Sequence, residues 1–182
     1  MSYRQSGVTL IEMLFVVLLI GLLALLATPL AGQWVNESRL KTVIGGMEQA
    51  VGQAKAVALR NSEGITGDEA ASKICLSDSG VLSVNPAKPA AGATTPAEPA
   101  DCVAGGPTPL WSSQMPSNLS IIYDGPDSDD DSDGDWKCAC FSNKGVLTTA
   151  GTSCATCATG LKLTIAIGSG DAEAKDEPRD FY

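Results

Sequence analysis

The chain contains no histidine. That removes the commonest general base and metal ligand, and with it any Ser-His-Asp or Cys-His catalytic arrangement. Large aromatics are scarce, with three Phe, three Tyr and three Trp among 182 residues, so a soluble core has to be built from smaller side chains. Positive charge is scarce as well. Arg4 is the only basic residue before Arg39, and the net charge of −9 disfavours nucleic acid or anionic lipid as a general partner. No phosphate-cradling loop or dinucleotide fingerprint occurs. Nothing in these absences leaves room for familiar enzyme chemistry, and the expectation is a protein that is not an enzyme and carries no obligatory cofactor.

Cysteine is not scarce. Six in a small chain favour disulfides and an oxidising compartment. They fall in three pairs, Cys75 with Cys102, Cys138 with Cys140 and Cys154 with Cys157. Spacing alone leaves many connectivities open. Residues 138 and 140 share one face of a strand and so face a common partner segment. The preferred reading joins Cys75 to Cys102 and cross-links the second pair to the third. Two rivals are a four-cysteine zinc site built from C-x-C and C-x-x-C, and a redox pair at Cys154 and Cys157; no helix start follows the latter to activate a thiolate.

One long apolar run dominates the chain. Val8 to Thr28 is interrupted only by Thr9, Glu12 and the closing threonine. As a helix it reaches roughly 30 Å, the thickness of a bilayer's hydrocarbon core. A carboxylate inside such a span costs on the order of 3 kcal/mol by insertion scales, so Glu12 asks for a function. A plain membrane anchor leaves it unexplained. A secretory signal cut somewhere in Ala24 to Ala31 is a further alternative, although the run is longer than a usual signal core. The arginine before the span and the acids after it suit a cytoplasmic N-terminus.

Gly7, then Val8-Thr9-Leu10-Ile11-Glu12, then the apolar run up to Pro29, resembles the leader and N-terminal helix of type IV pilins and type II secretion pseudopilins. The resemblance implies a leader over 1–7, a transmembrane and filament-core helix over 8–28, an amphipathic continuation over 29–61 and a disulfide-bonded β-rich head over 62–182. It implies that prepilin peptidase cuts between Gly7 and Val8 and N-methylates Val8, which departs from the phenylalanine most members carry. Glu12 then becomes the fifth residue of the mature chain, and Thr9, Glu12 and Pro29 are its assembly residues. The implied partners are the peptidase, other pilin or pseudopilin subunits and the inner membrane. The chain would cross that membrane once, with a periplasmic head, before entering a pilus or pseudopilus. Within this superfamily, the helix end at Ala54 to Asn61, the segment Cys140 to Gly145 and the strand Leu161 to Ile167 resemble the GspH/FimT group of minor pilins and pseudopilins. Some of that group bind DNA through basic C-terminal residues; here Asp171 to Tyr182 carries more acids than bases, and the activity is not carried over.

Beyond Pro29, Leu40, Val43, Ile44, Met47, Val51, Ala54, Val57 and Ala58 recur at three- and four-residue spacing, which predicts a helix to about Arg60 with one apolar stripe. Pro29 is expected to kink or loosen it. Gly45, Gly46 and Gly52 are expected to permit close approach of a sheet or another helix. Asn61 to Gly64 supplies the stop. Strands are predicted at Ser72 to Leu76, Val81 to Val84, Leu119 to Tyr123, Trp136 to Ser142 and Leu161 to Ile167, with turns at Ser77 to Gly80 and Asn143 to Gly145. Asn85 to Pro107, rich in proline and alanine, reads as a surface loop, and Gly168 to Tyr182 as a loose tail. The order predicts an α+β fold with a long helix against one face of a small antiparallel sheet.

Asp129, Asp131 and Asp133 followed by Gly134 match the first half of a calcium loop. The distal glutamate is absent, since Cys140 stands at the twelfth position. A solvated acidic hairpin tip is the preferred reading, with calcium the alternative. A membrane-anchored calcium-binding or adhesive module therefore stands as a functional alternative to a filament subunit.

Overall fold

The structure is a computed structural model. It describes residues 9–88, 97–102, 108–123, 135–151, 154–155, 157–168, 174–176 and 178–181; within the helix, the side chains of 26–31 and 33 lie outside this description. Among the described residues one helix, α1 (Leu10–Arg60), precedes nine strands: β1 (Ala70–Leu76), β2 (Val81–Pro86), β3 (Trp111–Gln114), β4 (Leu119–Tyr123), β5 (Cys138–Ser142), β6 (Leu147–Thr148), β7 (Lys162–Ile167), β8 (Ala174–Lys175) and β9 (Arg179–Asp180). The arrangement is α+β and pilin-like, as the sequence predicts.

Helix α1 is continuous through Pro29 over 51 residues. Its C-terminus is closed by Asn61, which adopts a left-handed conformation (φ 40°) and donates its N–H to the Val57 carbonyl. This is a role asparagine fills more readily than bulkier residues. The Asn61 side chain then clasps Ile65 twice, donating to its carbonyl and accepting from its N–H, each at 2.8 Å. The chain is thereby turned back toward the first strand.

The helical stripe is buried from Leu40 to Ala58, with Met47, Ala50, Ala54 and Ala58 fully enclosed. What it packs on differs from the expectation of one sheet. The described strands form two sheets: a five-stranded one in the order β3-β2-β1-β5-β6, and a smaller one in which β7 pairs with β4, β8 and β9. All these pairings are antiparallel. Ile74, Leu82, Val84 and Phe141 from the first sheet share one core with Ile121, Leu163, Ile165 and Ile167 from the second, and α1 covers both. Short side chains such as Ala50, Ala54 and Ala58 bring the helix close to the strands. Of Gly45, Gly46 and Gly52, only Gly46 faces the head, where an added Cβ would stand 3.4 Å from the Met115 methyl; Gly45 and Gly52 meet no strand of either sheet.

Other expectations are corrected by packing. The C-terminal segment is not loose at its described residues. It contributes β8 and β9, and Ala174 and Phe181 are buried. Segment 85–107 is not all surface loop: Asn85 and Pro86 extend β2, Ala87 and Ala100 are buried, and Lys88 and Glu98 pair across an antiparallel bridge. Strands β3 and β6 were not anticipated, and Trp136 precedes its strand rather than opening it. The turns lie where predicted, with Gly80 and Gly145 at positive φ (76° and 70°).

Candidate functional site

Two regions carry the residues that the sequence singles out. The first is the start of α1. Thr9 is its N-cap, and its hydroxyl oxygen accepts a hydrogen bond from the Glu12 N–H at 3.3 Å, satisfying one of the donors that a helix N-terminus leaves unpaired. Glu12 is the acidic residue of that first turn. A carboxylate there is favoured by the partial positive charge of the unpaired N–H groups. Gly7 and Val8, the expected cleavage point, lie outside the described residues, as do the rest of the expected leader and the Pro29 side chain. From Leu10 to Leu25 the large apolar side chains are all exposed, reaching 85% at Leu10 and 77% at Leu25. This is an apolar surface far beyond the scattered exposure of an ordinary soluble domain. Among the described residues no helix is long and apolar enough to cross a membrane. Within the expected span the described side chains end at Leu25, about 22 Å from Leu10; Val8 and the side chains of 26–28 lie outside the description.

The second region is the outer face of the five-stranded sheet, turned away from α1. Lys73 and Cys75 on β1 lie opposite Cys140 and Cys138 on β5 in antiparallel register. Three disulfides fasten loops over this face: Cys75–Cys102, Cys138–Cys157 and Cys140–Cys154. No cysteine is free. Cys154 and Cys157 each bond to a β5 cysteine and not to one another, so neither a thiolate zinc site nor a C-x-x-C redox pair exists here. Ala70 and Ala100 pack among the four cysteines of the last two bridges.

Lys73, whose side chain is only 4% exposed, pairs with Asp101 at 3.2 Å. Asp101 also accepts from the Cys102 N–H at 2.7 Å. Asn85 donates to the Cys75 sulfur at 3.1 Å. This polar layer escaped the sequence reading; its signal is that Lys73 alternates with Ile74 and therefore shares the face of Cys75. It is the polar lining of a cross-linked cover rather than a reaction centre.

The Asp129, Asp131 and Asp133 run lies outside the described residues. Its described flanks meet, since Ile122 and Asp135 form an antiparallel bridge. Among the described residues no group of three or more acidic, cysteine or histidine side chains is placed to hold a metal ion. A cleft of 440 Å³ opens between α1 and the β3–β4 connection, lined by Arg39, Thr42, Val43, Gln114, Met115 and neighbours. It holds no cluster of acid, base and nucleophile.

Comparison with known proteins bears on the first region. No curated protein and no solved structure matches the chain. Residues 2–28 match the family model of the prokaryotic N-terminal methylation motif, and the match does not reach the head, so it does not assign the GspH/FimT group. Residues 2–28 thus carry a prokaryotic N-terminal methylation motif, the kind typical of type IV pilins and pseudopilins.

Proposed function

We propose that this chain is a minor type IV pilin, cut between Gly7 and Val8, N-methylated on Val8, and built into or initiating a pilus. The observation that carries the reading is the methylation motif at 2–28, which supports a pilin- or pseudopilin-like protein in general and implies prepilin peptidase and other pilin subunits as partners. The family of that motif is structural rather than enzymatic. Its placement supports the reading too. The motif runs into a helix whose large apolar side chains are exposed from Leu10 to Leu25, while one stripe from Leu40 to Ala58 is buried by the head.

On this reading the chain first stands in the inner membrane, spanning it once with residues 8–28, its N-terminus cytoplasmic and its head periplasmic. The three disulfides suit that oxidising side. Subunit assembly then covers the apolar half. A minor pseudopilin of a type II secretion system is built on the same motif, and neighbouring genes would separate the two.

Mass spectrometry of the membrane-extracted protein tests the proposal. A mature chain beginning at N-methyl-Val8 is expected, and Gly7→Val should leave the full-length precursor in the membrane. An unprocessed wild-type chain would favour a membrane-anchored calcium-binding or adhesive module, and an N-terminus within 24–31 would establish a secretory signal.

A further inference from the structure

Trp34 is 74% exposed, whereas the head buries Trp111 in part and Trp136 almost completely. Val35 beside it is also exposed. The first residue of α1 buried by the head is Leu40, about 9 Å further along the axis. Val43, which faces the head, lies nine positions beyond Trp34 and so about 180° around the helix from it. The indole therefore stands clear of the head and below it, in the gap between the exposed apolar run and the first packed residue.

Helix geometry places that gap. The span proposed above, residues 8–28, crosses a hydrocarbon core of about 30 Å. The Trp34 backbone comes about 9 Å further along the axis, at the outer edge of the roughly 5–8 Å headgroup region on that side of the bilayer. Helical side chains lean toward the N-terminus, so the indole inclines back toward the hydrocarbon and its N–H remains near the ester and headgroup oxygens. An amphipathic ring with one donor is suited to that layer. On the same side of the helix follow Glu37 and Lys41, both exposed. A zwitterionic glycerophospholipid, with an ammonium and a phosphate, offers each a partner of opposite charge.

We propose that Trp34 is a headgroup anchor: it seats in the ester and headgroup layer on the head's side of the bilayer and sets the depth at which α1 stands before assembly. The proposal rests on the membrane reading given above.

Its test uses the full chain in phosphatidylethanolamine–phosphatidylglycerol vesicles. The lipids carry bromine either near the glycerol end of the acyl chain or near its methyl end. The expected result is loss of about a third of the tryptophan emission, one residue of three, with the shallow bromines and distinctly less with the deep ones. Trp34→Phe should abolish the quenchable part and leave the emission of Trp111 and Trp136. Quenching that survives Trp34→Phe, or that is stronger with deep bromines, overturns the anchor. Retention of the protein on the vesicles after an alkaline carbonate wash separates the two levels. A chain that stays but shows no Trp34 quenching sinks the anchor alone. A chain that washes off sinks the membrane reading and the anchor with it.

Discussion

The Ser72 hydroxyl donates a 2.7 Å hydrogen bond to the main-chain carbonyl of Ala54, joining the first strand to the helix at a point where neither meets water. The carbonyl has a second acceptor position, used within the helix, so Ser72→Ala removes the link without stranding its partner. The expected loss in urea unfolding is about 1 kcal/mol. Ser72→Val should cost more, roughly 1–3 kcal/mol, because extra methyl groups enter a closed interface. An unchanged midpoint for both variants would show that the bond contributes nothing.

The disulfides should differ in reactivity. Cys102 is exposed, whereas Cys140 and Cys154 are fully enclosed and Cys138 and Cys157 nearly so. Mild reduction followed by alkylation and peptide mapping is expected to label Cys75 and Cys102 first. Replacing both Cys138 and Cys157 by serine should lower stability by about 2–4 kcal/mol. Simultaneous labelling of all six thiols would mean that the head opens as one unit before any bridge is reached.

Phe181 anchors the C-terminal segment. It is buried in the common core, and its N–H donates to the Leu161 carbonyl at 3.1 Å. Arg179 adds a 3.7 Å ion pair to Glu48 on α1, exposed on both sides and of little weight. Phe181→Ala should destabilise the head by about 2–4 kcal/mol, while Arg179→Ala should fall within about 0.5 kcal/mol of wild type. Thermal unfolding of the two variants side by side checks the contrast.

Glu12 is proposed to compensate the amine that leader removal creates at Val8, in its own chain or in a neighbouring subunit. Two opposite charges in a low-dielectric setting attract strongly, while either alone is costly. Glu12→Gln keeps the size and removes the charge. It should be cleaved normally and enter filaments at a reduced level, read by comparing precursor, mature and filament-associated protein. Wild-type incorporation would leave Glu12 as a surface carboxylate solvated by headgroups.

For the acidic run, the solvated-tip reading predicts equal melting temperatures with calcium and with chelator. A ligand of the folded state would raise the temperature. A rise that disappears when Asp129, Asp131 and Asp133 are changed to alanine would assign calcium to them.

Features that repeat over short distances are legible in the chain before it folds. A three- and four-residue apolar stripe can be satisfied only by a helix with one buried face, so Leu40 to Ala58 could be placed on the core before any strand was paired. The methylation motif is likewise a local string, legible because a glycine, a carboxylate and an apolar run stand in fixed order. Partner choice is different, because it is settled by segments far apart in the chain. Only the tertiary structure divided the strands into two sheets under one helix. It also recruited Phe181 and Ala174 from a charged tail, and turned Gly46 but not Gly45 or Gly52 toward the head. Strands as short as β6, β8 and β9 have no period of their own; they exist because β5 and β7 offer unpaired edges. Trp34 and Trp136 make the same point with one residue type. Composition counts them alike, but the fold buries Trp136 and leaves Trp34 exposed below the head, because burial depends on what the rest of the chain brings alongside.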